Sequence, residues 1–334
     1  MIPGNITNGV NSYTIAAGNW RGAQTITLQG IKPETADVWS LGGIWQSRGF
    51  GSGDTVQVLV DYWDIKTKDQ LGLLASANDI ANAVFSISPA GPGTPIPTNG
   101  SALADCSSPF AYRVTFNAGG CVQGTTTAND FSNITTDYGN GPGQHTTGVD
   151  IQVNYTFEAL RGEWTLALNA TNTQKFEFSP VVLDGVILRP TQDRLGNLNF
   201  ATIGFAAPKW RSNFSVNYAN GAHNARLVLN YISGVDDERF LNPDGSVNTS
   251  ALIPEGFQAG TTTPFNPSYY GVHGESWVSA DLHYTLTVPI GIFSASIINL
   301  ADRNPPAARE ELGYDPRMGN ALGRQFQIGY RREF

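Results

Sequence analysis

Along much of this chain apolar and polar residues alternate with a period of two. A β-strand turns that pattern into two chemically distinct faces. Val149, Ile151, Val153, Tyr155 and Phe157 share one face, and Asp150, Gln152, Asn154 and Thr156 share the other. The pattern recurs at Trp164–Thr171, Phe214–Tyr218, Arg226–Tyr231, Val278–Val288 and Gln325–Phe334. Further strands are expected at Ala36–Gln46, Val56–Lys66 and about Ile292–Leu300. That makes about nine strands, many near the 9–11 residues with which a tilted strand crosses a bilayer. Helical spacing is scarce; the one amphipathic candidate is Gln70–Phe85.

The connections alternate in length. Ser47–Asp54, Ala159–Glu163, Ala219–Asn224 and Pro289–Gly291 are short. The segments from Leu71 to about Ser132, Ser179 to about Arg211, Val235 to about Ser276 and Asp302 to about Arg324 are long. Tight turns at one end and long loops at the other is the layout of an outer-membrane barrel. Long structureless loops are uncommon in compact soluble domains. Alternation alone does not say which face meets lipid, because a soluble barrel turns its apolar face inward and a membrane barrel turns it outward. Charged residues make up only 14% of the 334, against a usual value of about 25%. The net charge of −8 argues against a nucleic-acid partner, which requires a basic face. No apolar stretch is long enough for a membrane-spanning helix. The first twenty residues have no cationic start followed by an apolar core. They are not a signal peptide, so the chain reads as cytoplasmic or as mature or truncated.

The end of the chain, SASIINLADRNPPAAREELGYDPRMGNALGRQFQIGYRREF, resembles the C-terminus of TonB-dependent outer-membrane receptors. Asn299-Leu300 closes a strand, Asp302, Pro305 and Pro306 follow, and then comes Tyr314-Asp315-Pro316. Gly323-Arg324 opens the last strand, and Phe334 ends it. Upstream, Lys32-Pro33-Glu34, Thr147-Gly148-Val149-Asp150 and Pro208-Lys209-Trp210 resemble strand entries of the same family. The resemblance implies an all-β, antiparallel transmembrane barrel portion with long extracellular loops. It also implies that Phe326, Ile328, Tyr330 and Phe334 form the strand read by the outer-membrane assembly machinery. Family members carry a plug domain and a barrel of about 22 strands. Neither a plug-like region nor that many strands is legible here. With Phe334 periplasmic, counting back over nine strands puts the N-terminus in an extracellular loop. Residues 1–30 therefore read as the tail of such a loop, with at most one extra hairpin strand, and 31–334 as the C-terminal part of a receptor barrel.

Cys106 and Cys121 lie close together in a Gly/Ser/Thr-rich stretch. An even, local pair with no other thiols suggests a loop-closing disulfide in an oxidising compartment; the alternative is two free thiols in the cytosol. Asp236-Asp237-Glu238 offers hard oxygen ligands, but without the spacing of a calcium loop it reads as a solvated loop. Asp61 and Asp64 fall on opposite faces of a strand, which suits no glycosidase pair. His145, His223, His273 and His283 lack metal-ligand spacing. No nucleophile elbow, phosphate loop or Cys-x-x-Cys occurs, so the reading is of a non-enzyme with no cofactor and no metal. Tyr269, Tyr270, His273 and Trp277 stand at the mouth of one strand. They are either ligand contacts able to stack on a sugar or siderophore, or part of the interfacial aromatic girdle.

The resemblance implies uptake of a scarce ligand (siderophore, vitamin or oligosaccharide) across the cell outer membrane. Its implied partners are the TonB energy-coupling complex, acting through a plug, the assembly machinery and outer-membrane lipid. The alternative is a soluble, secreted β-rich carbohydrate-binding module, which would fold without detergent or lipid.

Overall fold

A computed structural model describes residues 10–15, 22–28, 30–51, 53–91, 101–117, 119–199, 205–238, 273–308 and 312–332. In chain order the strands are β1 Val10–Ile15, β2 Gly22–Leu28, β3 Thr35–Arg48, β4 Thr55–Lys68, β5 Gln70–Leu73 and β6 Val114–Phe116. They continue with β7 Phe131–Gly141, β8 Gln144–Ala159, β9 Gly162–Phe178, β10 Val181–Leu183, β11 Val186–Arg189 and β12 Gln192–Asp193. The last are β13 Trp210–Asn220, β14 His223–Ile232, β15 Trp277–Val288, β16 Gly291–Ile298 and β17 Gln325–Arg331. Among the described residues one α-helix, α1, spans Ala77–Val84. No described helix is long and apolar enough to cross a membrane.

The nine strands expected from alternation form one open sheet in the order β17-β16-β15-β14-β13-β9-β8-β4-β3, with β12 beside β9. Neighbours are joined by short turns at one end. Leu160 and Arg161 (φ 54° and 62°) link β8 to β9, the two positive-φ centres that a tight type I′ hairpin requires. Gly221 supplies the same freedom between β13 and β14. These turns fix the register, and the register lines like residues up across the sheet. Leu166, Val216, Leu227, Leu282, Ile297 and Phe326 form one continuous apolar row over six strands. One residue away, Thr165, Asn217, Arg226, His283, Ser296 and Gln327 form a polar row.

Exposure then assigns the faces. Phe214, Leu229, Leu282 and Tyr284 are 36–39% exposed, whereas Ser215 and Ser279 on the opposite face are 3% exposed. A soluble module would sort these residues the other way, so the apolar face is the lipid face. At the turn end an aromatic chain runs Phe50, Tyr155, Phe157, Trp164 and Tyr218, with successive ring centroids 4.7–6.3 Å apart. Their polar tips bond to the turns: Tyr218 donates to the Leu160 carbonyl at 3.0 Å and Trp164 Nε1 to that of Ala159 at 3.1 Å. Tyr330 likewise donates to the Ile290 carbonyl at 2.5 Å. This is the girdle of an interface, where one end of each ring is apolar and the other wet.

The chain divides into two compact units. The sheet belongs chiefly to residues 38–64, 146–176 and 194–334; the other unit comprises 1–37, 65–145 and 177–193. That second unit has a conventional core. Ile80, Val84, Phe85, Phe131, Ile134, Val181 and Leu183 are at most 2% exposed. Phe85 packs at 5.7 Å from Phe131 and 6.2 Å from Phe116. Within it β2 pairs antiparallel with β1 and parallel with β7, so part of residues 1–30 is a hairpin. The helix expected over Gln70–Phe85 is half as long. Gln70–Leu73 is instead β5, paired with Tyr138–Gly141 of β7. Ser76 starts the helix with a reciprocal capping box to Asp79, which satisfies donors that a longer helix would have satisfied itself. Val181–Leu183 and Val186–Arg189 make a hairpin around Asp184 (φ 54°) and Gly185 (φ 79°).

Candidate functional site

On the polar face at the loop end of the sheet, β8, β9, β13, β14 and β15 line an open cavity of about 530 Å³. The pleat explains its lining. Asn169, Asn213 and Asn230 share one polar row, and Thr171, Arg211, Ile232 and Trp277 share the next. The side chains hold one another in place. Asn169 Nδ2 donates to Asn213 Oδ1 at 3.2 Å, and Thr171 donates its hydroxyl to Asp150 Oδ1 at 2.6 Å. Asn230 Nδ2 donates to Asp281 Oδ2 at 2.9 Å. Arg211 reaches the Arg317 carbonyl at 3.1 Å. The indole Nε1 of Trp277 is buried and has no hydrogen-bond partner among the described residues.

Loops beyond these strands brace the cavity. Asp281 Oδ1 accepts from the Asn299 backbone at 2.8 Å, and the Asn299 side chain closes a turn by accepting from the Arg303 N–H and donating to its carbonyl. Asp302 accepts from the Arg324 N–H at 2.7 Å, just before β17. Asp315, 2% exposed, accepts from the backbones of Ala206 and Arg317, both at 2.7 Å. The residues that carry the C-terminal resemblance are thus backbone clamps that fix loops over strand ends. Met318 sits in a small apolar cluster with Leu198, Ala206 and Val235. The acidic triplet is a loop knot rather than a solvated loop. Asp236 pairs with His273 Nδ1 at 2.6 Å, Asp237 is 5% exposed, and Glu238 accepts from the Asn199 N–H at 2.9 Å. No cluster of metal-ligating side chains occurs among the described residues.

Of the aromatic quartet, Tyr269 and Tyr270 lie outside the described residues. The structure does not bring His273 to the cavity lined by Trp277; it faces Asp236. Trp277 aligns with Ile232 and Arg211 on the cavity face. In the strand expected to be read by the assembly machinery, Phe326, Ile328 and Tyr330 are 72%, 92% and 54% exposed on the edge strand β17; Phe334 lies outside the described residues. The asparagines were missed as a group because each alone looks like a polar filler. The signal available was their shared parity, made a cluster only by the hairpin register.

The second unit has its own polar centre. Arg113, 7% exposed, donates to both Asp184 oxygens at 2.9 Å and reaches Asp137 at 2.9 Å; Tyr112 donates its hydroxyl to Asp184. Burial lowers the Arg113 pKa, but the hydrogen bonds to Asp184 and Asp137 outweigh it and hold the guanidinium charged. The Arg113 hydrogen bond in turn depresses the Asp184 carboxyl below its usual range. Cys106 and Cys121 form a disulfide with Cα atoms 5.7 Å apart, packed against this unit's core.

Three solved structures are similar to the chain. The outer-membrane transporter YddB from Escherichia coli shares 11% identity at a TM-score of 0.48, covering 92% of this chain and 33% of its own. The siderophore receptor PirA from Acinetobacter baumannii shares 14% at 0.45, covering 95% and 34%. A mutant of the ferric enterobactin receptor PfeA from Pseudomonas aeruginosa shares 13% at 0.46, covering 91% and 32%. The chain thus spans about a third of the length of each. No curated protein matches it in sequence. The family model for the TonB-dependent receptor-like β-barrel matches residues 4–300, nearly the whole chain. With an open antiparallel sheet whose apolar face is turned outward, this chain belongs to the TonB-dependent receptor β-barrel family of the outer membrane.

Proposed function

We propose that the chain forms part of the wall of a receptor that takes up a scarce ligand across the outer membrane. The observation that carries this reading is the reversed sorting of the sheet. Its apolar rows present large exposed side chains such as Phe214, Leu229, Leu282 and Tyr284, and its polar rows carry an open cavity at the loop end. A wall so built leaves hydroxyls, amides and a few charges along a wet path while lipid sees only apolar side chains. The loop end is extracellular and the girdled turn end periplasmic, which gives the ligand a direction of travel. Siderophores, vitamins and oligosaccharides are the ligand classes in view. The work of opening the path is assigned to the TonB complex acting through a plug, and insertion to the assembly machinery reading β17.

Disruption of the gene in its native host tests the proposal. Loss of one energy-dependent uptake activity from a panel of iron complexes, vitamins and oligosaccharides is expected, with a protonophore abolishing the same activity in the parent strain. Unchanged uptake of the whole panel would contradict it.

A further inference from the structure

Resting on that receptor reading, we infer that the loop-end cavity takes a neutral, hydroxyl-rich ligand of the saccharide class rather than an anionic ferric chelate. The lining is a lattice of amides. In the bond between Asn169 and Asn213, Asn169 Nδ2 is the donor and Asn213 Oδ1 the acceptor. That leaves the Asn169 carbonyl oxygen and the Asn213 amide nitrogen for a guest. The Asn230 amide nitrogen is held by Asp281, which leaves its oxygen. Asp150 spends one carboxylate oxygen on Thr171. The cavity therefore presents acceptors and donors side by side at fixed positions. A hydroxyl both donates and accepts, so adjacent hydroxyls on a sugar ring can satisfy such a mixed set, whereas a carboxylate or catecholate can only accept.

Charge points the same way. The lining carries one carboxylate, Asp150, and one guanidinium, Arg211, and Arg211 already donates to the Arg317 carbonyl. A multiply anionic guest would meet one cation and one like charge, and its desolvation would go uncompensated. A neutral polyol loses no ionic hydration on entry. Trp277 adds a ring for the apolar face of a sugar, and its buried Nε1 is a donor with no partner among the described residues. The cavity, about 530 Å³, falls in the ordinary range of small-molecule sites.

The test uses the 334-residue chain in detergent micelles with maltotriose and a ferric tris-catecholate complex as probes, read by calorimetric titration. Maltotriose should bind in preference, and Asn213→Ala should weaken it about tenfold, the loss of one well-placed hydrogen bond. Trp277→Phe should weaken it as well. Heat-modifiable migration identifies the folded fraction of each variant; should Trp277→Phe fail to fold, Asn213→Ala carries the test. Preferential binding of the ferric complex, binding of neither probe, or an Asn213→Ala affinity equal to that of the parent would overturn the assignment. Failure here leaves the uptake phenotype of the disrupted strain standing, so the two readings fail separately.

Discussion

The two units of this chain sort the same amino acids in opposite directions. In the unit built around β7 and α1, Ile80, Val84, Phe85 and Ile134 are fully shielded, and the charged residues that enter the interior do so as a partnered set around Arg113. In the sheet, Leu282, Tyr284 and Ile328 face outward, while Ser215 and Ser279 are covered. Alternation builds both kinds of strand. What differs is the solvent each face must meet, water around the unit of β7 and α1 and lipid around the sheet. Apolar burial in water therefore stabilises only the unit of β7 and α1 in the usual way. The sheet depends on its hydrogen-bonded ladders and on the bilayer.

That contrast can be broken at its strongest point by Phe85→Ala. Removing a fully buried ring that touches Phe116 and Phe131 should cost about 3–5 kcal/mol, all of it in the unit of β7 and α1, the loop unit. Hydrogen exchange should show faster opening across β5–β7 and α1 and unchanged protection in β13–β16. Equal loss in both units would mean that they do not fold as separate bodies.

The disulfide sharpens the comparison at a smaller scale. It closes a span of 15 residues, for which chain entropy gives about 3 kcal/mol. The Cys106→Ser/Cys121→Ser variant should therefore loosen the loop unit in the same exchange experiment. The heat-resistant folded form of the sheet should persist, and affinity for the receptor's ligand should fall. Loss of the folded sheet, or unchanged affinity, would show that the bridge serves something other than ordering a capture surface.

The smallest effect is expected at Asp184. Its carboxyl is held below the usual range by Arg113, so its contribution is fully present above the unfolded pKa of about 3.9 and is lost as pH falls through the lower folded value. The Asp184 side chain is 39% exposed, so solvent screening limits the contribution to about 1 kcal/mol. Asp184→Asn should remove that acid-side slope from loop-unit unfolding curves and leave the curve above about pH 5 parallel to the parent's. A slope that survives the substitution would place the titration elsewhere.

The sheet was largely legible in the sequence because six of its nine strands carry a period-two record of their own; among its turns Gly221 is a local signal, whereas Leu160-Arg161 is not. The loop unit was not. β7, FSNITTDYGNG, is polar and glycine-containing, and its partners β2, β5 and β6 are far away in sequence. No local pattern encodes such pairings. Two local signals did exist: Ser76 and Asp79 as a capping box, and Asp184-Gly185 between short apolar runs. At the site, parity placed Asn169, Asn213 and Asn230 on the polar face, but only the register made them neighbours. Met318 shows the converse. In a loop it reads as replaceable, yet it is 3% exposed.

The central claim, an apolar face turned to lipid, can be read residue by residue. Single cysteines at positions 214, 229, 282 and 284 and at 215, 279, 281 and 283, labelled with bimane in lipid vesicles, would report on each face; the native pair stays oxidised and unlabelled. Brominated lipid should quench the first four and aqueous iodide the second four, alternating with every residue from 281 to 284. Quenching of the second set by lipid, or no alternation at all, would contradict the account.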